Sequence, residues 1–331
     1  MKLLSRLLAT IAILFLLYFL GPHPDSGTYT PELPAITDTG AALEKTIAQE
    51  EAALPVKPDN EARIVWHNDS LKNRTPYAVI YLHGFSASQE EGDPVHRNLA
   101  KAIGANLYLA RLSEHGLESD SALYHMTATS LWESAKKAYA IGRQIGEKVI
   151  IMGTSNGGAL SLMLAAENYP ETAGILLLSP NIRIYAPSAR LVNNPWGLQL
   201  ARLVMGSEYN RIPDTTALYR QYWNNPYRLE AVAQMQQMLE DKLNPETFRK
   251  IRQPLLMLYY YKNEEQQDKV VSVASMKEMF STLGTPENKK RSIAVPDAAN
   301  HVIGSPIKSK DIATVEKETI RFTRETILAT Y

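Results

Sequence analysis

The chain has 331 residues, 45% of them hydrophobic and 21% charged, with 35 basic and 35 acidic side chains. Zero net charge, without any basic stripe interleaved with aromatics, gives no electrostatic basis for a nucleic-acid partner. The lack of cysteine excludes disulfides, thiolate metal sites, a cysteine nucleophile and a lipidated N-terminal cysteine.

The N-terminus reads "MKLLSRLLATIAILFLLYFLGPHP", with Lys2 and Arg6 ahead of an apolar stretch from Leu7 to Leu20 that only Thr10 interrupts. Those positions rise roughly 21 Å as a helix, or roughly 27 Å counted from Leu3, against a bilayer core of about 30 Å. We therefore expect residues 1–20 to be a signal segment or a short membrane anchor rather than a buried helix. No A-x-A-like cleavage site follows, which favours an uncleaved anchor. The two basic residues would leave the rest of the chain on the extracytoplasmic side.

Residues 21–58 read as a linker rich in Pro, Gly, Ser and Thr, then a short helix over 38–53. Leu43, Ile47 and Leu54 would share one face of that helix. From residue 59 short β-runs alternate with helical stretches. Strands are expected at 62–67, 77–84, 106–112, 148–153, 174–180, 254–261 and 291–297. Helices are expected around 94–103, over 128–145 and 160–167, and near 308–329. Nearly continuous Val/Ile/Leu runs between helices predict an α/β domain over 59–331, with a mostly parallel sheet covered on both faces. The rhythm breaks at about 181–252, a helical and loop-like stretch that reads as an insertion capping the sheet.

"IIMGTSNGGAL" (150–160) sets Ser155 among Gly153, Gly157 and Gly158. Glycine weakens strands and helices, so this cluster needs a reason. A serine on a sharp strand-to-helix turn supplies one, because its neighbours must lack Cβ where backbones meet. Gly153-Thr154-Ser155-Asn156-Gly157 fits G-x-S-x-G in that context, making Ser155 a candidate nucleophile. A serine hydroxyl needs a base oriented by a carboxylate. Of the seven histidines, His301 alone follows the last expected strand, in "DAANHVIGS". Asp268, on the loop after "PLLMLYYY", is the candidate acid. Glu264 and Glu265 read as a solvated run, and Asp297 as a turn residue. The oxyanion of acyl transfer needs backbone donors, for which the N–H groups of Asn156 and of Phe85 in "YLHGFSAS" are suited. His96, His115 and His125 lack metal-ligand spacing, so neither a metal nor an organic cofactor is expected.

Taken together, "VIYLHGFSAS", "LARLSEHG", "IIMGTSNGGALSLMLA", "QDKVVS" and "NHVI" resemble the α/β-hydrolase superfamily, in the branch of monoacylglycerol lipases, carboxylesterases and serine aminopeptidase-like hydrolases. The likeness spans roughly 60–330 and keeps the family's motif order. It implies Ser155 as nucleophile, Asp268 as acid, His301 as base, and Phe85 and Asn156 as oxyanion donors. It also implies an α/β-hydrolase fold acting on a small-molecule ester or lipid-like substrate. "SEHG" stands where "GHG" is frequent, and Thr154 and Asn156 depart from the usual residues, which bears on substrate choice. Trp196, Leu198, Leu200, Tyr222 and Trp223 would line an acyl pocket or pack the cap on the core. Amide or peptide cleavage, and a non-catalytic binding module on the same fold, are the alternatives. The sequence leaves the oligomeric state open.

Overall fold

The computed structural model describes residues 2–330; Met1 and Tyr331, the outer limits of the two end segments, lie outside the described residues. Helices α1 (Lys2–Phe19) and α2 (Gly40–Ala52) precede strands β1 (Arg63–Val65) and β2 (Thr75–Leu82). Next come α3 (Val95–Ile103), β3 (Asn106–Leu109), α4 (Ala128–Ile145), β4 (Gly146–Thr154), α5 (Asn156–Ala166) and β5 (Thr172–Leu178). The long crossover that follows holds α6 (Gly197–Met205), β6 (Tyr209–Asn210), α7 (Ala217–Tyr222), β7 (Tyr227–Arg228), α8 (Leu229–Lys242) and α9 (Pro245–Lys250). It leads into β8 (Leu255–Tyr259), α10 (Val273–Thr282), β9 (Lys290–Ala294) and α11 (Ile312–Phe322).

Seven strands form one sheet in the order β1-β3-β2-β4-β5-β8-β9. Only the β1–β3 pair is antiparallel. Both faces are buried, which explains the continuous apolar runs in the central strands. Along β4, Val149 and Ile151 pack on Leu131 and Ala135 of α4. Ile150 and Met152 point the other way, into a cluster with Leu99 of α3 and Val315 and Phe322 of α11. The period-two alternation therefore places an apolar side chain on each face at every position.

The crossover joins β5 to β8, adjacent parallel strands, and takes in the stretch 181–252 where the sequence rhythm breaks. Several of its aromatic residues lie inside it: Tyr219, Tyr222, Trp223 and Tyr227 are buried. One helix, α10, has no counterpart among the sequence expectations. It buries Val273, Met276 and Met279 at three-residue spacing, and its N-cap Ser272 accepts from Ser275 N.

In the N-terminal region one expectation, the membrane anchor, finds no support, and another, the linker, is corrected. Among the described residues no helix is long and apolar enough to cross a membrane. With 18 residues, α1 rises about 27 Å, short of a bilayer core of about 30 Å. The stretch read as a linker is extended but fastened to the domain. Trp132 Nε1 donates to Thr30 O (2.8 Å), Lys136 Nζ to Glu32 O (2.9 Å) and Tyr29 OH to Asp241 Oδ2 (2.8 Å). In α2, Leu43 and Ile47 are buried as the periodicity requires, whereas Leu54 lies beyond the helix end and is exposed.

Candidate active site

Ser155 occupies the one-residue turn between β4 and α5, at φ 51° and ψ −115°. Positive φ strains any residue with a Cβ, and the surroundings hold it there. Ser155 N donates to Leu178 O (2.9 Å), while its carbonyl accepts from Asn181 N (2.8 Å) and Ala159 N (3.1 Å). The flanking glycines are explained by contact. A Cβ on Gly157 would lie 1.9 Å from Leu82 O, and one on Gly153 would lie 2.4 Å from Gly157 O. The start of α5 thus presses against the end of β2, where the loop carrying Phe85 begins.

Asp268 and His301 arrive from the loops after β8 and β9. Their ring-to-carboxylate contact, Nδ1 to Oδ2, is 2.5 Å. The other carboxylate oxygen accepts from Val270 N (2.8 Å) and Val271 N (3.1 Å), so both oxygens of the buried Asp268 are hydrogen-bonded. With Nδ1–H committed to Asp268, Nε2 is the nitrogen left to face a hydroxyl. Burial disfavours the imidazolium, but the charge and hydrogen bond of Asp268, with a further contribution from Glu91, outweigh it and raise the His301 pKa above its ordinary value. Ser155 and His301 face the same cavity, and among the described residues no hydrogen bond joins them. Catalytic hydrogen bonds of this kind often tighten only when substrate is bound.

The loop after β2 is held from several sides. The His83 ring contacts Gly84 O through Nδ1 (2.9 Å) and accepts from Leu112 N through Nε2 (3.0 Å). Burial holds its pKa well below the ordinary value, so the ring is neutral and structural. Ala87 N also donates to Gly84 O (3.2 Å). With that carbonyl tied back, the N–H of the same peptide, on Phe85, faces the opposite way. Among the described residues no turn or loop hydrogen bond uses the Phe85 N–H. Asn156 is the first residue of α5, and its N–H has no intrahelical acceptor.

Over these groups lies a cavity of about 720 Å³ with Phe85, Ser155 and His301 in its floor. Its roof is apolar cap surface, including Leu200, Val204, Val232 and Met235. Of the residues expected to line an acyl pocket, Leu200 and Trp223 do so. Trp196 is exposed, with its ring N–H donating to Leu17 O (2.9 Å), and Tyr222 OH donates to Asp59 (2.8 Å). Leu198 is likewise absent from the lining. Among the rival acids, Glu264, Glu265 and Asp297 are all exposed. Lys308, which lines the cavity, pairs with Asp214 of the cap.

Comparison with known proteins agrees with this layout. A metagenome-derived lipolytic enzyme superposes with a TM-score of 0.65 at 17% identity, covering 82% of this chain and 99% of that one. The monoacylglycerol lipase of Paleococcus ferrophilus (TM-score 0.58, 14% identity) covers 79% of this chain and 96% of its own. Est1E of Butyrivibrio proteoclasticus, solved with ferulic acid, matches at TM-score 0.55 and 18% identity, covering 81% of this chain and 95% of its own. The chain has the α/β-hydrolase fold. No protein-family model matches it. In sequence, a probable alcohol acetyltransferase of Saccharomyces cerevisiae is 28% identical over 155 residues, 46% of this chain. The chain thus matches only 44% of that relative's length.

In α/β-hydrolase terms, the sheet's C-terminal edge collects all five sequence-derived site residues, where open α/β sheets bind ligands. One acidic residue at this edge was missed by sequence reading. Glu91, in the 3₁₀ turn Gln89–Gly92, is buried and lines the cavity, and its Oε2 accepts from Gly84 N (2.5 Å). The signal was the acidic pair Glu90–Glu91 just after the loop carrying Phe85, which reads as solvated until the turn folds it inward.

Proposed function

We propose that this chain is a serine ester hydrolase of carboxylesterase or acylglycerol-lipase type. Ser155 attacks the ester carbonyl as its proton passes to His301 Nε2, and Asp268 orients and stabilises the imidazolium. The Phe85 and Asn156 N–H groups receive the oxyanion, and the alcohol leaves with the proton from His301. Water, activated by the same imidazole, then releases the acid. The observation that carries this reading is the 2.5 Å His301–Asp268 pair on the cavity that also exposes a strained Ser155. The apolar roof supports an acyl or lipid-like substrate. Among the described lining residues the cap contributes no carboxylate to pair with a substrate amine. Incubation with a fluorophosphonate probe should label Ser155, and p-nitrophenyl esters should turn over in preference to aminoacyl anilides. An unlabelled, folded protein would instead fit the binding module.

A second reading has one observation of its own, the partial match to a probable alcohol acetyltransferase. The same acyl-enzyme would pass its acyl group to an alcohol in place of water. Product analysis in ethanol-containing buffer, scoring ethyl ester against free acid, separates the two. For location, the basic residues ahead of the apolar N-terminal segment support a domain on the extracytoplasmic side. Protease accessibility in intact cells against lysates tests this.

A further inference from the structure

We propose that Glu91 is a positioning residue for the oxyanion hole, its carboxylate fixing the loop that aims the Phe85 N–H at the reacting carbonyl; this rests on the hydrolase reading above. Three observations converge on that carboxylate. Its Oε2 takes the Gly84 N–H at 2.5 Å, one peptide before the donor. It is buried yet forms part of the cavity wall, beside the oxyanion loop rather than in solvent. Position 84 is shaped around it, because a Cβ there would lie 2.7 Å from both carboxylate oxygens. Gly84 thus admits the acid side chain against the backbone. The turn carrying Glu91 is wedged on its other side by the histidine loop, where a Cβ on Gly304 would lie 3.1 Å from Glu91 O.

The far end of the same loop is secured from the cap. Asn224 N donates to Ser86 O (2.7 Å), and the Asn224 side chain bridges Gly116 N (3.0 Å) and Leu117 O (3.0 Å). Phe85 therefore lies between two anchors, Gly84 N–H on Glu91 and Ser86 C=O on Asn224. A donor held this way needs no reorganisation as charge develops, which is where oxyanion stabilisation gains its effect. The Asn224 anchor is backbone and persists in any side-chain variant. Glu91 is the anchor that a substitution can remove.

The experiment compares wild type, Glu91→Ala and Glu91→Gln on p-nitrophenyl butyrate, with inhibition by an alkyl trifluoromethyl ketone as a readout of oxyanion binding. Loss of one oxyanion donor lowers turnover about 10²–10³-fold. Glu91→Ala should lower kcat about 10²-fold with KM within about twofold, and weaken the ketone by a similar factor. Glu91→Gln keeps an acceptor for the Gly84 N–H and should stay within about fivefold of wild type, an outcome that loss of general stability would not produce. The inference is overturned if Glu91→Ala retains wild-type kcat, if its ketone affinity is unchanged while kcat falls, or if Glu91→Gln is as impaired as Glu91→Ala. Should Glu91→Ala not fold, hydrogen exchange in the wild type decides: a Gly84 amide that exchanges as fast as exposed loop amides overturns it, and a protected one supports it. A folded wild type that neither labels at Ser155 nor hydrolyses any ester defeats the hydrolase reading itself, and this inference with it.

Discussion

The floor and the roof of the cavity are built on opposite principles. In the floor the groups that set the geometry are tied down: Asp268 accepts three hydrogen bonds and the Ser155 backbone is pinned from three directions. Glycines are obligatory there because backbones touch. The roof is short helices and two-residue strands whose contribution to the cavity is apolar surface. Leu203 and Val204 of α6 are strongly exposed, and Gly206 ends that helix with open space around it. On the proposed reading the floor defines where atoms react, whereas the roof defines only the shape and polarity of what fits. Substitutions in the floor should therefore change rate for every substrate, and those in the roof should change the ranking among substrates.

The largest effect should come from Ser155→Ala, which removes the nucleophile while leaving the strained turn in place. A loss of kcat of about 10⁶-fold is the scale for such a change, and fluorophosphonate labelling should vanish with it. Residual turnover above about one part in a hundred would move the chemistry away from the floor. Asp268→Asn should follow at about 10⁴-fold, since the wrong imidazole tautomer is then favoured. Its pH profile is more telling than its size. His301 must be neutral to act as base, and its pKa is raised in the wild type. Wild-type kcat/KM should therefore climb with pH to a midpoint above the ordinary histidine value, and Asp268→Asn should move that midpoint lower.

Roof variants sharpen the contrast. Met235 on α8 lines the cavity, and Met235→Trp removes volume above the nucleophile. We expect a loss of about 10- to 100-fold in kcat/KM for a decanoyl ester with an acetyl ester nearly unaffected, within the discrimination an apolar pocket achieves. The ratio of the two esters is the measurement. Equal losses on both would mean the roof also positions the floor.

The same division governs what the sequence disclosed. The sharp turn at Ser155 was legible because Gly153 and Gly157 are required by contacts to backbone that no other residue allows. Asp268 and His301 followed from chain order, since successive parallel strands must deliver their loops to one edge. The central strands were legible as buried runs, although their ends shifted by a few residues. Less was readable where the outcome depends on a meeting between distant segments. Tyr29, Thr30 and Glu32 sit in a Pro- and Thr-rich stretch whose composition resembles a linker, yet partners on α4 and α8 fasten it. In the roof, Trp196 and Trp223 carry the same side chain, and only tertiary packing sends one to solvent and the other to the cavity. Glu91 is the clearest case, because its partner Gly84 is seven residues away and the 3₁₀ turn alone turns the acid inward.

Glu91 also gives the smallest effect, and the one with a definite sign in pH. Burial pushes its carboxyl up to about 7, against an ordinary value of 4.5, even though the Gly84 N–H and His301 favour the charged form. A carboxyl whose folded pKa is raised binds its proton more tightly in the folded state. Its contribution to stability is fully present below pH 4.5 and is lost as pH rises through about 7. Glu91→Gln is neutral at every pH and keeps the hydrogen bond to the loop. Near pH 4.5 the variant and wild type should therefore unfold at similar denaturant concentrations. At pH 8 the variant should be the more stable, by about 3 kcal/mol, because wild type must then hold a desolvated anion. A stability difference that stays flat from pH 4.5 to 8 would show that the carboxylate reaches solvent through the cavity, and that the floor at this point is less closed than the rest.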